Sequence, residues 1–372
     1  MFSSRLKWES HPNALSRLLD EKRRDGIQIL DLTESNPTRA GLNYPPEIVS
    51  ALSDPRSLRY DPDPRGLADA RAAAAAAMRT TPDRILLTAS TSEAYTYIFK
   101  LLCDAGDEVL VPRPSYPLFE YLAGLESVTV RQYPLRYDGE WRVDFPSLER
   151  AIGPRTRAIV VVNPNNPTGS YLKSHEIERL EQFGLPILSD EVFADYELIE
   201  GIDKSLVGDR KVLTFSMGGL SKAAGLPQMK LGWVALSGPG HQEALERLEW
   251  IADTFLSVAS PVQHALPKLL EFGVGIREQI RARTRSNLEH LRSALTGSRL
   301  GVLHVEGGWY ATVRAPQTRS EEEYALTLLR EHDTLIQPGY FYDFESEAFL
   351  ILSLLTPPEV FQGGVRALLM AH

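Results

Sequence analysis

A lysine, an aspartate and an asparagine are the residues of this chain best placed to do chemistry, each in a short segment of unusual composition. The lysine is Lys222, which closes the run Gly219–Lys222 (GLSK). An amine attacks carbonyls and carries protons at carbon if it is neutral near pH 7. Partial burial and a neighbouring cation lower its pKa toward that range. The aspartate is Asp190, which opens Asp190–Tyr196 (DEVFADY) directly after the apolar run Leu185–Leu188. The asparagine lies in Asn163–Gly169 (NPNNPTG), a turn by its Pro and Gly alone. Singly these are weak signals: most lysines are solvated surface charges, and an acid after a strand is often a helix N-cap. Together they offer an amine for an aldehyde, an anion for a protonated ring nitrogen and a donor for a ring oxygen. Pyridoxal 5'-phosphate (PLP) needs that set of contacts.

The elements that must hold these residues are legible in outline. Short apolar runs at Arg84–Thr88, Glu108–Val111, Val128–Gln132, Ala158–Val162, Pro186–Ser189, Val212–Ser216 and Leu231–Leu236 are strand candidates. Helical stretches such as Thr91–Leu102 and Ser174–Phe183 separate several of them. That alternation predicts a mostly parallel, seven-stranded α/β sheet between helices, with ligands bound beyond the carboxyl ends of the strands. Asn163, Asp190 and Ser216 fall at such ends. An amphipathic helix over Asn13–Arg24, a Pro-rich crossing from Pro37 to Pro64 with a short helix at Pro46–Leu52, and an alanine-rich helix over Gly66–Arg79 precede the sheet. A long helix from about Pro261 to Thr296 leads into a smaller unit. That unit has strands at Val302–Val305, Trp309–Val313 and Phe349–Leu354 and a helix at Ser320–Glu331. The expected division is a large domain over 45–260 and a small α+β domain built from 1–44 and 261–372.

Bulk properties exclude several classes. A length of 372 residues allows two domains, and a net charge of -9 without any offsetting basic cluster argues against a general nucleic-acid or membrane-surface binder. The single cysteine, Cys103, excludes an intrachain disulfide and suits a reducing cytoplasm; in its apolar run it reads as core filler. There is neither an apolar signal segment at the N-terminus nor a stretch approaching the ~20 apolar residues of a membrane span. A cytoplasmic protein is the expectation.

From about Ile29 onward the three motifs in this order resemble the fold-type I, class I/II PLP-dependent aminotransferases of the aspartate aminotransferase superfamily. The resemblance implies Lys222 as the Schiff-base lysine and proton carrier, Asp190 opposite the pyridine nitrogen, and Asn166 as donor to the ring oxygen. It implies Tyr116 stacked on the ring, and Ser90, Thr91 and Ser92 as a phosphate cup at a helix N-terminus, where backbone N–H groups bind anions without side-chain charge. Lys230 stands where an arginine usually holds the phosphate, serving as a point charge rather than a fork. Tyr60 corresponds to the tyrosine that reaches the phosphate across a subunit boundary, which implies a homodimer with shared active sites. The implied partners are a small amino donor and an oxo-acid acceptor.

Three departures qualify that reading. Phe193 replaces the tyrosine that shares the ring-oxygen contact, leaving Tyr196 to compensate. Gly219 stands where a serine often donates to phosphate. Ile351, in Phe349–Leu354, replaces the arginine that grips the substrate's α-carboxylate by a bidentate pair. Arg39 and Arg314 are the candidate substitutes, and Ser35 alters the pocket. A PLP-dependent lyase, cleaving carbon–sulfur bonds or decarboxylating on the same fold, is therefore the alternative. A PLP-sensing regulator is disfavoured: only about 30 residues precede the matching region, too few for a winged helix.

Overall fold

The computed structural model of the protein describes residues 2–6, 11–202 and 204–371. Among them the largest sheet has eight strands, in the order Ile85–Thr88, Gly232–Ser237, Thr214–Gly219, Ile187–Asp190, Thr156–Val162, Glu108–Arg113, Thr129–Tyr137, Trp141–Val143. Six run one way; Gly232–Ser237 and Trp141–Val143 run against their neighbours. All seven strands expected from the sequence are present. The eighth corrects the expected count: Trp141–Val143 folds back on Leu135–Tyr137 around Asp138 and Gly139, the latter at φ +80°. Asp-Gly is itself a hairpin signal.

The central strands are buried on both faces, which is why they read as continuous apolar runs rather than alternating ones. Thr156–Val162 exposes only Arg157. Helices Thr91–Leu102, Ser174–Glu181 and His241–Asp253 flank the sheet, and packed side chains such as Tyr97, Phe99, Leu188, Phe215 and Leu248 fill one of its faces.

A second, four-stranded antiparallel sheet has the order Gly301–Val302, Tyr310–Arg314, Phe349–Ser353, Gln337–Pro338. The N-terminal segment joins it: Leu30–Asp31 pairs in parallel with Thr334–Leu335, and the Ser353 amide donates to the Leu32 carbonyl at 2.7 Å. Leu15 and Leu32 share a core with Leu288, Leu328, Leu350 and Phe361, so both chain ends build one unit. The helix Ser260–Leu295 spans 36 residues, ~54 Å at 1.5 Å per residue. Its first half (Ala265, Leu266, Leu269, Ile276, Ile280) packs into the core behind the large sheet, and its second half (Leu288, Leu291, Leu295) into the smaller core. This rod fixes the two sheets against each other. No helix among the described residues is long and apolar enough to cross a membrane.

Candidate active site

The sequence motifs meet where the carboxyl ends of Thr156–Val162, Ile187–Asp190 and Thr214–Gly219 open onto a cavity of about 290 Å³. Ser35, Ser90, Thr91, Ser92, Tyr116, Asn166, Asp190, Lys222 and Lys230 all line it. The structure does not bring the other three candidates there. Tyr60 is 80% exposed on the surface among Asp61–Pro64. Arg39 is exposed in the Glu34–Gly41 turn, and Arg314 is exposed at the outer end of its strand, its guanidinium 5.5 Å from the Tyr137 ring and 5.6 Å from Phe349.

Lys222 is held by its backbone. It lies in the single helical turn Leu220–Ala223, directly after the strand Thr214–Gly219. The Tyr196 hydroxyl donates to the Lys222 carbonyl, Arg277 donates to the Ala223 carbonyl at 2.8 Å, and Tyr44 donates to the Gly225 carbonyl at 2.8 Å. Tyr196 is thus committed behind the lysine and corrects the expectation that it compensates for Phe193 at the ring oxygen. The Lys222 ammonium sits 4.8 Å from the Trp309 ring and 5.6 Å from the Phe193 ring. Trp309 is fully buried and clamped edge-on by Phe193 and Tyr196. Burial draws the Lys222 amine down to about 8, against the opposing pull of Asp190.

Asp190 is 7% exposed at its strand's end. Its carboxylate accepts from the Tyr95 hydroxyl at 3.2 Å and the Val192 amide at 3.3 Å. Burial pushes it up to about 6, with those two hydrogen bonds and the Lys222 charge pulling back. Tyr95 lies on Thr91–Leu102, so the helix that points its N-terminus at the cavity also orients the carboxylate. That helix is capped at Ser90, whose Oγ accepts from the Glu93 amide at 3.2 Å, while the Glu93 carboxylate accepts from the Ala89 amide at 2.6 Å.

Asn166 is placed by its neighbours. Asn165 donates to the Pro114 carbonyl at 3.0 Å and to Thr168 Oγ1 at 2.9 Å, and accepts from Ser115 at 2.9 Å. Gly169, at φ +70°, receives the Glu306 and Gly307 amides on its carbonyl, at 3.1 and 2.9 Å. A Cβ there would lie 2.6 Å from the Gly307 carbonyl oxygen. Gly169→Ala is therefore expected to destabilise the protein by about 2 kcal/mol or more, checked by denaturant melts. Because Gly308 also donates to the Tyr196 carbonyl at 2.9 Å, the turn, the Asp190 segment and the start of Tyr310–Arg314 are tied together.

The departure at Gly219 has a steric cause. The strands Thr214–Gly219 and Gly232–Ser237 approach so closely that a Cβ on Gly219 would lie 3.1 Å from Gly232 Cα and from the Leu231 carbonyl oxygen. Ser221, which also lines the cavity, brings a hydroxyl in its place. Sequence reading missed Tyr95, Trp309 and Tyr310 as site residues. Trp309 and Tyr310 follow a Gly-Gly pair that was legible only as the start of a strand. Tyr310 is buried in the cavity wall; burial lifts its phenol to about 12, against a hydrogen bond with Ser35.

These residues fit a PLP molecule. Asp190 has no ion-pair partner among the described residues and faces the cavity, as a protonated ring nitrogen requires. Asn166 lines the cavity with its amide group, whose Nδ2–H suits a ring oxygen, and its Oδ1 is buried without a partner in the protein. The Ser90–Ser92 helix start, Ser221 and Lys230 line one side and could hold a phosphate.

Comparison with known proteins agrees. A family model described as aminotransferase class I and II matches residues 27–362. A glutamate-pyruvate aminotransferase of Haemophilus influenzae is 31% identical over 356 residues, 89% of this chain and 87% of that protein. An S-alkyl-thiohydroximate lyase of Arabidopsis thaliana is 27% identical over 248 residues, 60% of this chain and 52% of that protein. An aminotransferase structure from Escherichia coli superposes with a TM-score of 0.86 at 25% identity, covering 99% of this chain and 96% of that one.

Proposed function

This chain belongs to the class I and II aminotransferases, and we propose that it moves an amino group between an amino acid, or a related amine, and a 2-oxo acid, with Lys222 and Asp190 as its catalytic residues. The observation that carries this reading is the convergence of Lys222, the buried Asp190 and Asn166 on one cavity that also holds the Ser90–Ser92 helix start. When bound, PLP supplies the aldehyde that carries the amino group and the ring that accepts the electron pair released at the donor's Cα.

The protein's own residues do the rest. With its pKa near 8, Lys222 has a neutral fraction of roughly a tenth at pH 7, enough to bond the cofactor's aldehyde. With a donor bound, the same Nζ would be placed to take the proton from the donor's Cα and, in the reverse half of the exchange, to return one to the Cα of the acceptor. Between these steps the Trp309 and Phe193 rings provide a resting place for its cationic form. Asp190 is mostly ionised at pH 7 and holds the ring nitrogen protonated; Tyr95 fixes its orientation. Tyr116 would cover the ring face and Asn166 would hold the ring oxygen. The helix start at Ser90–Ser92, with Ser221 and Lys230, would hold the phosphate.

We further propose that the active enzyme is a cytoplasmic homodimer whose large domain is 45–260 and whose small domain is 1–44 with 261–372. The exposed Tyr60 supports shared sites: its hydroxyl is free to reach a phosphate in a second copy. Tyr60→Phe is expected to weaken cofactor retention by roughly tenfold, the loss of one charged hydrogen bond, measured by equilibrium dialysis. Sedimentation showing a monomer with full activity would contradict the shared site.

The function is tested by following the visible spectrum of the PLP-loaded protein as amino acids and amines are added singly. The expected result is a yellow band that bleaches stably and returns when an oxo acid is added. A band that persists while pyruvate, ammonia or carbon dioxide accumulates would assign lyase chemistry instead.

A further inference from the structure

The cavity has two unlike ends. One holds Ser90–Ser92, Ser221, Lys230 and Gly232, the polar end suited to a phosphate. The other is walled by Ser35, Tyr116, Phe193 and Tyr310. Among the described residues lining the cavity the cations are Lys222 and Lys230, which the reading above assigns to the proton transfer and to the phosphate. No guanidinium among this chain's described residues lines it.

The sheet behind the aromatic end explains this. Tyr310 pairs with Ser353, and Thr312 with Ile351, so Thr312 and Ile351 continue the face that Tyr310 presents to the cavity. Ile351 is fully buried. Its other neighbour in register, Gln337, has its Oε1 occupied by the Tyr342 hydroxyl at 2.5 Å. Thr312 Oγ1 is buried without a partner. The next residue on that face, Arg314, is four positions along the strand from Tyr310, ~13 Å away, with its guanidinium over Tyr137 and Phe349. Neither Thr312 nor Ile351 lines the cavity, so what this chain presents at the aromatic end is the hydroxyls and rings of Ser35, Tyr116, Phe193 and Tyr310.

Resting on the aminotransfer reading above, we propose that this end receives uncharged groups: the site takes amines bearing a hydroxymethyl or carboxamide group in place of the α-carboxylate about as readily as it takes amino acids. A neutral hydroxyl donates to an alcohol, an amide or a carboxylate alike. What singles out a carboxylate is a cation opposite it; this chain's described residues place none there, and the residue assigned above to a second copy, Tyr60, is uncharged, so the stronger charged hydrogen bond is offset by the cost of taking the anion out of water. The overall exchange balances without an outside oxidant. The donor carbon gives up its amino group and two electrons and becomes a carbonyl, and the oxo acid's carbonyl carbon gains both. Water supplies the new carbonyl oxygen and takes away the old one.

The test uses the PLP-loaded protein and matched trios: L-phenylalanine, L-phenylalaninol and L-phenylalaninamide, and the same three forms of alanine. Second-order rate constants for loss of the visible band are compared within each trio. In parallel, binding of hydrocinnamate and hydrocinnamamide, which carry no amino group, is measured by calorimetry. The acid is expected to exceed its alcohol and amide by no more than about tenfold in either readout, the span of one ordinary hydrogen bond. A preference for the acid above about a hundredfold, the mark of a bidentate cation, overturns the proposal. Tyr310→Phe is expected to slow all three members of a trio by a similar factor; a loss confined to the acid overturns it too. If no donor of any form changes the band, the aminotransfer reading fails, while the calorimetric ratio still decides which groups this end accepts.

Discussion

Replacing Lys222 by alanine is expected to lower aminotransfer by about 10⁴-fold or more, because one side chain supplies both the covalent attachment and the proton transfer. Steady-state assay of the loaded variant checks this, and added methylamine is expected to restore part of the rate by replacing the missing base. A variant within tenfold of the parent would show that another group carries the proton. Removing the amine also carries a stability signature, of opposite sign. Burial lowers the Lys222 pKa from 10.5 to about 8, so in the cofactor-free protein the charged amine costs on the order of 3 kcal/mol. Below pH 8 the lysine is protonated in both folded and unfolded chains, and the cost is present in full. Between about 8 and 10.5 the unfolded chain binds more protons, so stability rises with pH and the cost disappears. Lys222→Met is therefore expected to melt higher than the parent at pH 7 and to lose that advantage toward pH 10.5. An active site that holds an amine ready for reaction is less stable than an inert core would be.

Asp190→Asn is expected to lower activity by about 10³-fold, through loss of the one buried anion that can keep the ring nitrogen protonated. The change is nearly isosteric, so the Tyr95 and Val192 contacts can survive and the cofactor can still bind. A normal spectrum with a rate loss under tenfold would place the stabilising charge elsewhere. Here too the sign of the stability effect is fixed. The folded-state pKa of Asp190 is raised from 3.8 to about 6, so without cofactor the ionised carboxylate destabilises the protein above pH 6 and not below pH 3.8. The asparagine variant gains stability in the upper range only.

Much of this site was legible in the sequence because its parts are local. Lys222, Asp190 and Asn166 each sit where a strand gives way to a turn, and Pro, Gly and small residues mark those places. The helix Thr91–Leu102 could be read from propensity and periodicity, to the residue at both ends. What escaped depends on contacts between distant segments. Tyr310 reaches the cavity, and Trp309 the Lys222 amine, only because Glu306–Gly308 docks onto Gly169 and Tyr196, and no local pattern encodes that pairing. Tyr95 orients Asp190 across 95 residues of chain. Tyr196 was a reasonable replacement for a missing hydroxyl by spacing, yet the turn of the backbone sends its O–H to the Lys222 carbonyl instead. The two-residue strand Gln337–Pro338 offers too short a pattern to be read at all. Arg39 and Arg314 were attractive because a carboxylate seemed to need a cation, an argument about the ligand rather than about the chain.

The most direct test of the account is to load the protein with PLP, reduce it with borohydride and locate the modified residue by peptide mass mapping. The account predicts one reduced adduct, on Lys222. An adduct on Lys230 or any other lysine, or none on a protein that holds the cofactor, would contradict it.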